Sequence, residues 1–105
     1  MAVILNVEDG TGVKRVLRSE GNNPNLIGFH YQLDGVRVKT LKDSQCETYL
    51  HYLSTPGAGR IKQEPIPANT VLLTEYYWRN FYGAYFRVKY NNKPYDISVN
   101  NVKIL

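Results

Sequence analysis

Between Ala84 and Val99, apolar and polar residues alternate on either side of one pair of asparagines, Asn91-Asn92. Asparagine tolerates positive φ, so a two-residue turn at this pair has a defined geometry. The turn predicts that Val88 faces Tyr95, Phe86 faces Ile97 and Ala84 faces Val99. The opposite face then pairs Arg87 with Asp96 and Tyr85 with Ser98. A slip of one residue would mix the two faces, so turn and pattern support a single register. Arg87 and Asp96 read as a cross-strand ion pair on a solvated face. Pro94 has no amide to give to a ladder, which places its strand at a sheet edge or puts the proline at the strand's own start.

A second hairpin is expected from Leu26 to Leu41, turning at Asp34-Gly35. It would pair Leu33 with Val36, Tyr31 with Val38 and Phe29 with Thr40 on one face. Gln32 with Arg37 and His30 with Lys39 would form the other, solvated, face. Ala2 to Val7 and Val13 to Leu17 read as strands joined through Asp9-Gly-Thr-Gly12, and Ser19 to Asn25 as a loop. Val71 to Trp78 reads as a strand with large side chains on both faces, the pattern of a strand covered on both sides. One helix is expected within Ser44 to Ser54. Ser44-Gln-Cys-Glu47 has the form of a capping box, and Cys46, Tyr49, Leu50 and Leu53 recur at helical spacing. The whole is a single domain, residues 1–105, of mainly β class. It has six or seven short strands and one short helix, arranged as a small antiparallel barrel or a strongly bent sheet. Phe29, Tyr31, Val38, Leu50, Leu53, Phe86, Val88 and Ile97 are the expected core.

From residue 67 onward the order of motifs is Asn69-Thr-Val-Leu-Leu, Tyr85-Phe-Arg-Val-Lys-Tyr90, Asn91-Asn92, Lys93-Pro-Tyr-Asp-Ile-Ser98 and Val102. This stretch resembles the second half of bacterial SH3-like domains. Those run from a residue pair entering a hydrophobic strand to an aromatic-x-x-Val-x-Tyr strand, a tight polar turn, a Lys, an aromatic strand and a Ser-x-x-aliphatic close. Two positions depart from the family pattern: Pro94 stands where a glycine is usual, and Tyr85 where a tryptophan is usual. The resemblance covers about a third of the chain and implies an SH3-like barrel rather than any particular ligand.

Charge and rings are concentrated at the same end. The chain carries 13 basic and 9 acidic residues, a formal net charge of +4. From Tyr76 onward there are five bases (Arg79, Arg87, Lys89, Lys93, Lys103) against Asp96 alone, so this segment holds the whole excess. It also holds nine of the 13 aromatic residues. Basic charge interleaved with rings is the chemistry of a gripping surface. Trp78, Arg79, Tyr82, Tyr85, Arg87, Lys89 and Lys93 are therefore the candidate partner-binding residues. The basic hairpin face of His30, Arg37 and Lys39 is a second candidate.

A protein partner is favoured, because Tyr, Trp and Arg anchor protein interfaces. The module would then act as an adaptor, inhibitor or assembly component. The alternative is single-stranded DNA or RNA, with bases stacked on the rings and phosphates on the cations. No nucleotide-binding fingerprint, metal-ligand spacing or paired carboxylates stand out, so no catalytic residue, metal or cofactor is expected. Asp9-Gly-Thr-Gly12 and Pro56-Gly-Ala-Gly-Arg60 could offer amides to a phosphate, but read as ordinary turns. A single cysteine, Cys46, an N-terminus without a basic leader and no run of ~20 apolar residues point to a soluble cytoplasmic protein with no membrane partner.

Overall fold

The computed structural model describes residues 2–22, 30–50 and 59–105, with backbone alone for 44–50 and 59–64. The chain is mainly β and its strands pair antiparallel. A hairpin of β1 (Val3–Glu8) and β2 (Lys14–Ser19) comes first. Short β3 (His30–Gln32) and β4 (Arg37–Thr40) follow, and then the hairpin of β5 (Ser44–Leu50) and β6 (Gly59–Ile66). The long β7 (Val71–Asn80), β8 (Gly83–Tyr90) and β9 (Lys93–Ser98) form a meander. One 3-10 turn, Val99–Asn101, leads into β10 (Val102–Ile104). The main sheet runs in the order β10-β4-β7-β8-β9, and β3 also lies on β7.

The Asn91-Asn92 hairpin forms in the expected register. Val88 lies opposite Tyr95, Phe86 opposite Ile97, Arg87 opposite Asp96 and Tyr85 opposite Ser98. Both asparagines have positive φ, 51° and 62°, as a primed turn requires. Val99 leaves the ladder to begin the 3-10 turn, so the expected Ala84–Val99 pair does not form. Ser98 caps that turn by accepting a hydrogen bond from Asn100 N at 3.2 Å. β9 ends the hydrogen-bonded order, which accommodates Pro94 at its second position.

Asp34-Gly35 does not make a hairpin. β3 and β4 both pair with β7, end to end along the same edge: His30 opposite Trp78, Gln32 opposite Tyr76, then Arg37 opposite Leu73. The Leu33 amide donates to Glu75 O (3.0 Å) and the Thr74 amide to Val36 O (3.0 Å). The dipeptide between them is thus an excursion out of one interrupted strand. Gly35 adopts φ 71°, the conformation a tight turn would use, but the chain rejoins β7 instead of folding back on itself. On the other edge of β7 the register with β8 shifts between Thr74 and Tyr76, leaving Glu75 as a bulge. Both edges of β7 are therefore broken at one level, where a bulge bends a strand and raises its twist.

The expected helix at Ser44–Ser54 is corrected. Ser44–Leu50 is strand β5, in register with β6 except for a shift between Cys46 and Thr48. A helix confined to Ser44–Ser54 is too short to be more than marginal on its own, and Thr48-Tyr49 suits a strand equally well. Residues 51–54 lie outside the described residues, as do Phe29, Leu53 and the Leu50 side chain among the expected core positions.

Of the rest, Val38, Phe86 and Val88 are fully buried, Ile97 is nearly so, and Tyr31 is half-buried against the core. They join Tyr77, Tyr95, Leu72, Val102 and Ile104 of the sheet, Leu5, Val7 and Leu17 of the first hairpin, and Ile66. The Asp9–Gly12 turn docks on the outer edge of β10. Gly10 N donates to Val102 O (2.9 Å), and Asp9 Oδ2 accepts from Ile104 N (2.9 Å). Arg15 Nη1 donates to Ile104 O at 3.0 Å. Gly10 has to be glycine, because a Cβ there would collide with the Asn100 carbonyl. Thr11 N bonds Asp9 Oδ1 and Gly12 N bonds Asp9 O, so the amides of this loop are all engaged and do not form a phosphate cradle.

Phe86→Ala should lower stability by ~3–5 kcal/mol, read from denaturant melts, because it removes a fully buried ring from the centre of the sheet. Asp9 gives a pH signature. Burial pushes its carboxyl up, but hydrogen bonds from Thr11 and Ile104 outweigh that and hold it below its ordinary value. A lowered folded value means the stabilisation is fully present above the unfolded pKa of about 3.9 and fades as pH falls through the folded value. Melting temperature should therefore drop below about pH 4. Asp9→Asn should melt lower than wild type at pH 7 and show a shallower acid decline in circular dichroism.

Candidate functional site

The ring-rich, basic segment occupies β7, β8 and β9, and the two faces of this part of the sheet divide its residues. One face carries Tyr77, Phe86, Tyr95 and Ile97 into the core. The other carries Tyr76 and Trp78, Tyr85 and Arg87, and Asp96 and Ser98, with His30 and Gln32 added from β3. On this second face three rings from adjacent strands stack in line. His30 lies on Trp78 with centroids 5.4 Å apart and planes at 26°. Trp78 lies on Tyr85 at 4.7 Å and 23°. Tyr76 meets His30 edge-on at 6.1 Å.

Beside this ladder the Arg87 guanidinium grips Asp96 with two parallel hydrogen bonds, Nε to Oδ1 and Nη2 to Oδ2, both 3.0 Å. Asp96 Oδ1 also accepts from Trp78 Nε1 at 2.9 Å. The pair has the expected register but not the expected setting. The Arg87 and Asp96 side chains are only 2% and 5% exposed. His30, expected to be solvated, is buried as well, while Trp78 and Tyr85 are half-buried. Alternation tells which residues share a face. It does not tell whether that face meets water. Arg87 and His30 are therefore withdrawn from the contact surface, and the ring ladder is part of the protein's own scaffold.

The other candidates are exposed but separated. Arg79 and Tyr82 stand at one end of the β7–β8 hairpin. Lys89 and Lys93 are exposed at the other end of β8 and the start of β9, ~20 Å away at the usual strand rise. Arg37 is exposed and Lys39 half-buried on β4. His30, expected directly across from Lys39, lies at the far end of the interrupted strand instead. The exposed part of the expected patch is thus two separate groups, and the second candidate face keeps Arg37 and Lys39 without His30.

The β7–β8 tip holds the residue that sequence reasoning passed over. Asn80 pairs with Gly83, leaving Phe81-Tyr82 as a two-residue turn. Neither residue has positive φ, so this is not the primed turn hairpins favour. Asn80 Oδ1 holds it by accepting from the Tyr82 and Gly83 amides at 2.8 and 3.1 Å, a local bond for which asparagine is suited. The turn projects two large rings into solvent: Phe81 is 101% and Tyr82 88% exposed. Their centroids are 6.2 Å apart, edge to face. A signal was available, since Phe-Tyr is a poor choice for a two-residue turn.

Beneath the tip runs an open groove of about 390 Å³, lined by Asn6 and Glu8 of β1, by Tyr77, Arg79 and Tyr82, and by Val99. Burial pushes the Tyr77 phenol above its ordinary value, and the Arg79 charge pulls against that rise. Chemically the place offers rings, one cation, one anion and amide groups. Among the described residues no group of three His, Cys, Asp or Glu side chains is placed to hold a metal ion. No described helix is long and apolar enough to cross a membrane. No protein-family model, curated protein or solved structure matches the chain.

The buried pair makes a sharp prediction. Removing one partner strands the other charge, so Arg87→Ala or Asp96→Ala should each cost ~3–5 kcal/mol. Replacing both, as in Arg87→Met/Asp96→Leu, should recover most of that loss in denaturant melts. A double variant as unstable as the singles would mean that the pair holds something besides itself.

Proposed function

We propose that this protein is a non-enzymatic binding module, an adaptor, inhibitor or assembly component, that grips a protein partner through the Phe81-Tyr82 tip with Arg79 beside it. The observation that carries the reading is the near-complete exposure of two adjacent rings on a turn that side-chain hydrogen bonds hold in one shape. Isolated exposed apolar residues are ordinary. A pair of rings on a fixed two-residue turn is different, because it forfeits turn propensity and gains nothing within the fold. Tyr and Arg are enriched at interface hot spots, and a pre-shaped loop loses little entropy on docking. The groove under the tip would receive a side chain of the partner.

The nucleic-acid alternative draws less support, since Trp78 is stacked between His30 and Tyr85 rather than standing free for bases. The likeness of residues 67–105 to bacterial SH3-like domains agrees with this reading at the level of a small β binding scaffold. A cytoplasmic setting remains part of the proposal.

Phe81→Ala/Tyr82→Ala should melt within a few degrees of wild type, because the rings contact little of the fold. In affinity capture with quantitative mass spectrometry it should lose the proteins that wild type retains, with ~2 kcal/mol lost against any purified partner. Equal capture by the variant would move the contact surface elsewhere. Salt-steep binding of oligo(dT) that survives the double substitution would favour nucleic acid instead.

A further inference from the structure

A second surface lies on the opposite half of the molecule's main sheet. β4 sits between β7 and β10, and their registers build two cross-strand rows. Lys103, Lys39 and Val71 form one, and Arg37 and Leu73 begin the other. The intervening Val38, Thr40, Leu72, Val102 and Ile104 point inward and are buried. The row residues therefore point outward. Val71 and Leu73 are 54% and 51% exposed, and Arg37 and Lys103 are exposed.

Two features of this face serve nothing in the fold. Lys39 and Lys103 stand directly opposite one another, and like charges at that spacing, ~5 Å between Cβ atoms, are destabilising. No acidic residue occupies either row, and neither of the described ion pairs, Arg18–Glu20 and Arg87–Asp96, lies on it. Beside the cations, two aliphatic side chains, Val71 and Leu73, lie half out in water.

We propose that this face docks an acidic amphipathic segment of a partner protein. Its carboxylates would meet Lys39, Lys103 and Arg37, and its apolar side chains would cover Val71 and Leu73. An anion set between Lys39 and Lys103 relieves their repulsion, so complementarity is strongest where the free protein is least comfortable. The face carries aliphatics and no ring, which suits a peptide better than bases that need a stacking platform. It is distinct from the Phe81-Tyr82 tip, which sits at the far end of β7, and stands whether or not the tip is a contact site.

The test uses a fluorescein-labelled synthetic peptide of mixed Glu and Leu, read by anisotropy with the full chain. Wild type should bind it, and added salt should weaken but not abolish the binding. Lys39→Glu and Lys103→Glu each turn the repulsive pair into an attractive one, so each variant should melt at or above the wild-type temperature. Each should nevertheless bind the peptide at least about tenfold more weakly. Leu73→Asn should also weaken binding, whereas Phe81→Ala/Tyr82→Ala should leave it unchanged. The proposal is overturned if wild type does not bind the peptide or if Lys39→Glu binds as well as wild type. It is also overturned if oligo(dT) or phosphatidylserine vesicles bind more tightly than the peptide with the same sensitivity to Lys39→Glu.

Discussion

β7 has to satisfy backbone hydrogen bonds along both edges over ten residues, and no single neighbour spans that length on one side. β3 and β4 share one edge, and β8 takes the other. The joint between β3 and β4 falls at Asp34-Gly35, and the slip against β8 falls at Glu75, level with it. Matching breaks on both edges let the strand bend there without stranding buried amides, since Leu33 and Thr74 still donate across the gap. On one side of this level the sheet carries the ring ladder, and on the other the outward-facing Arg37, half-buried Lys39 and Val71.

The ladder shows how polar groups can serve a core. Asp96 takes three hydrogen bonds, two from Arg87 and one from Trp78, and a carboxylate so engaged tolerates burial that a bare one would not. Such a pair adds little net stability over an apolar replacement, but it penalises any other register severely. If β8 and β9 slipped by one residue, Arg87 and Asp96 would both be left without their partners. The pair therefore reinforces what the Asn91-Asn92 turn already specifies. The rings beside it, His30, Trp78 and Tyr85, stack in line and tie β3, β7 and β8 together on the same face.

With that cluster assigned to the scaffold, the exposed chemistry falls into separate places: rings at the Phe81-Tyr82 tip, and cations with aliphatics on β4, β7 and β10. A charge excess of +4 concentrated in one stretch of sequence is thus not a single patch in space. Lys103 joins Lys39 through β10, while Arg87 is neutralised in the interior and Arg79 stands by the tip.

The sequence by itself determined the features that depend on near neighbours. The β8–β9 register is set by two asparagines and the alternation beside them. The β1–β2 hairpin and β7 are likewise local, and so is the positive φ of Gly35. What lay beyond it are choices between partners far apart in the chain. Gly35 adopts a turn conformation, yet β3 and β4 pair with β7 because a long strand offers more hydrogen bonds than a short hairpin. The capping box at Ser44 yields to β6, which gives Ser44–Leu50 a ladder that a short isolated helix could not match. Asp9-Gly-Thr-Gly12 reads as a turn, but its bond to Ile104, 95 residues on, exists only once β10 is in place. Burial is the clearest case. Periodicity places Arg87 and Phe86 on opposite faces, and only tertiary packing decides that both faces are covered, because burial depends on what the rest of the chain lays over the strand.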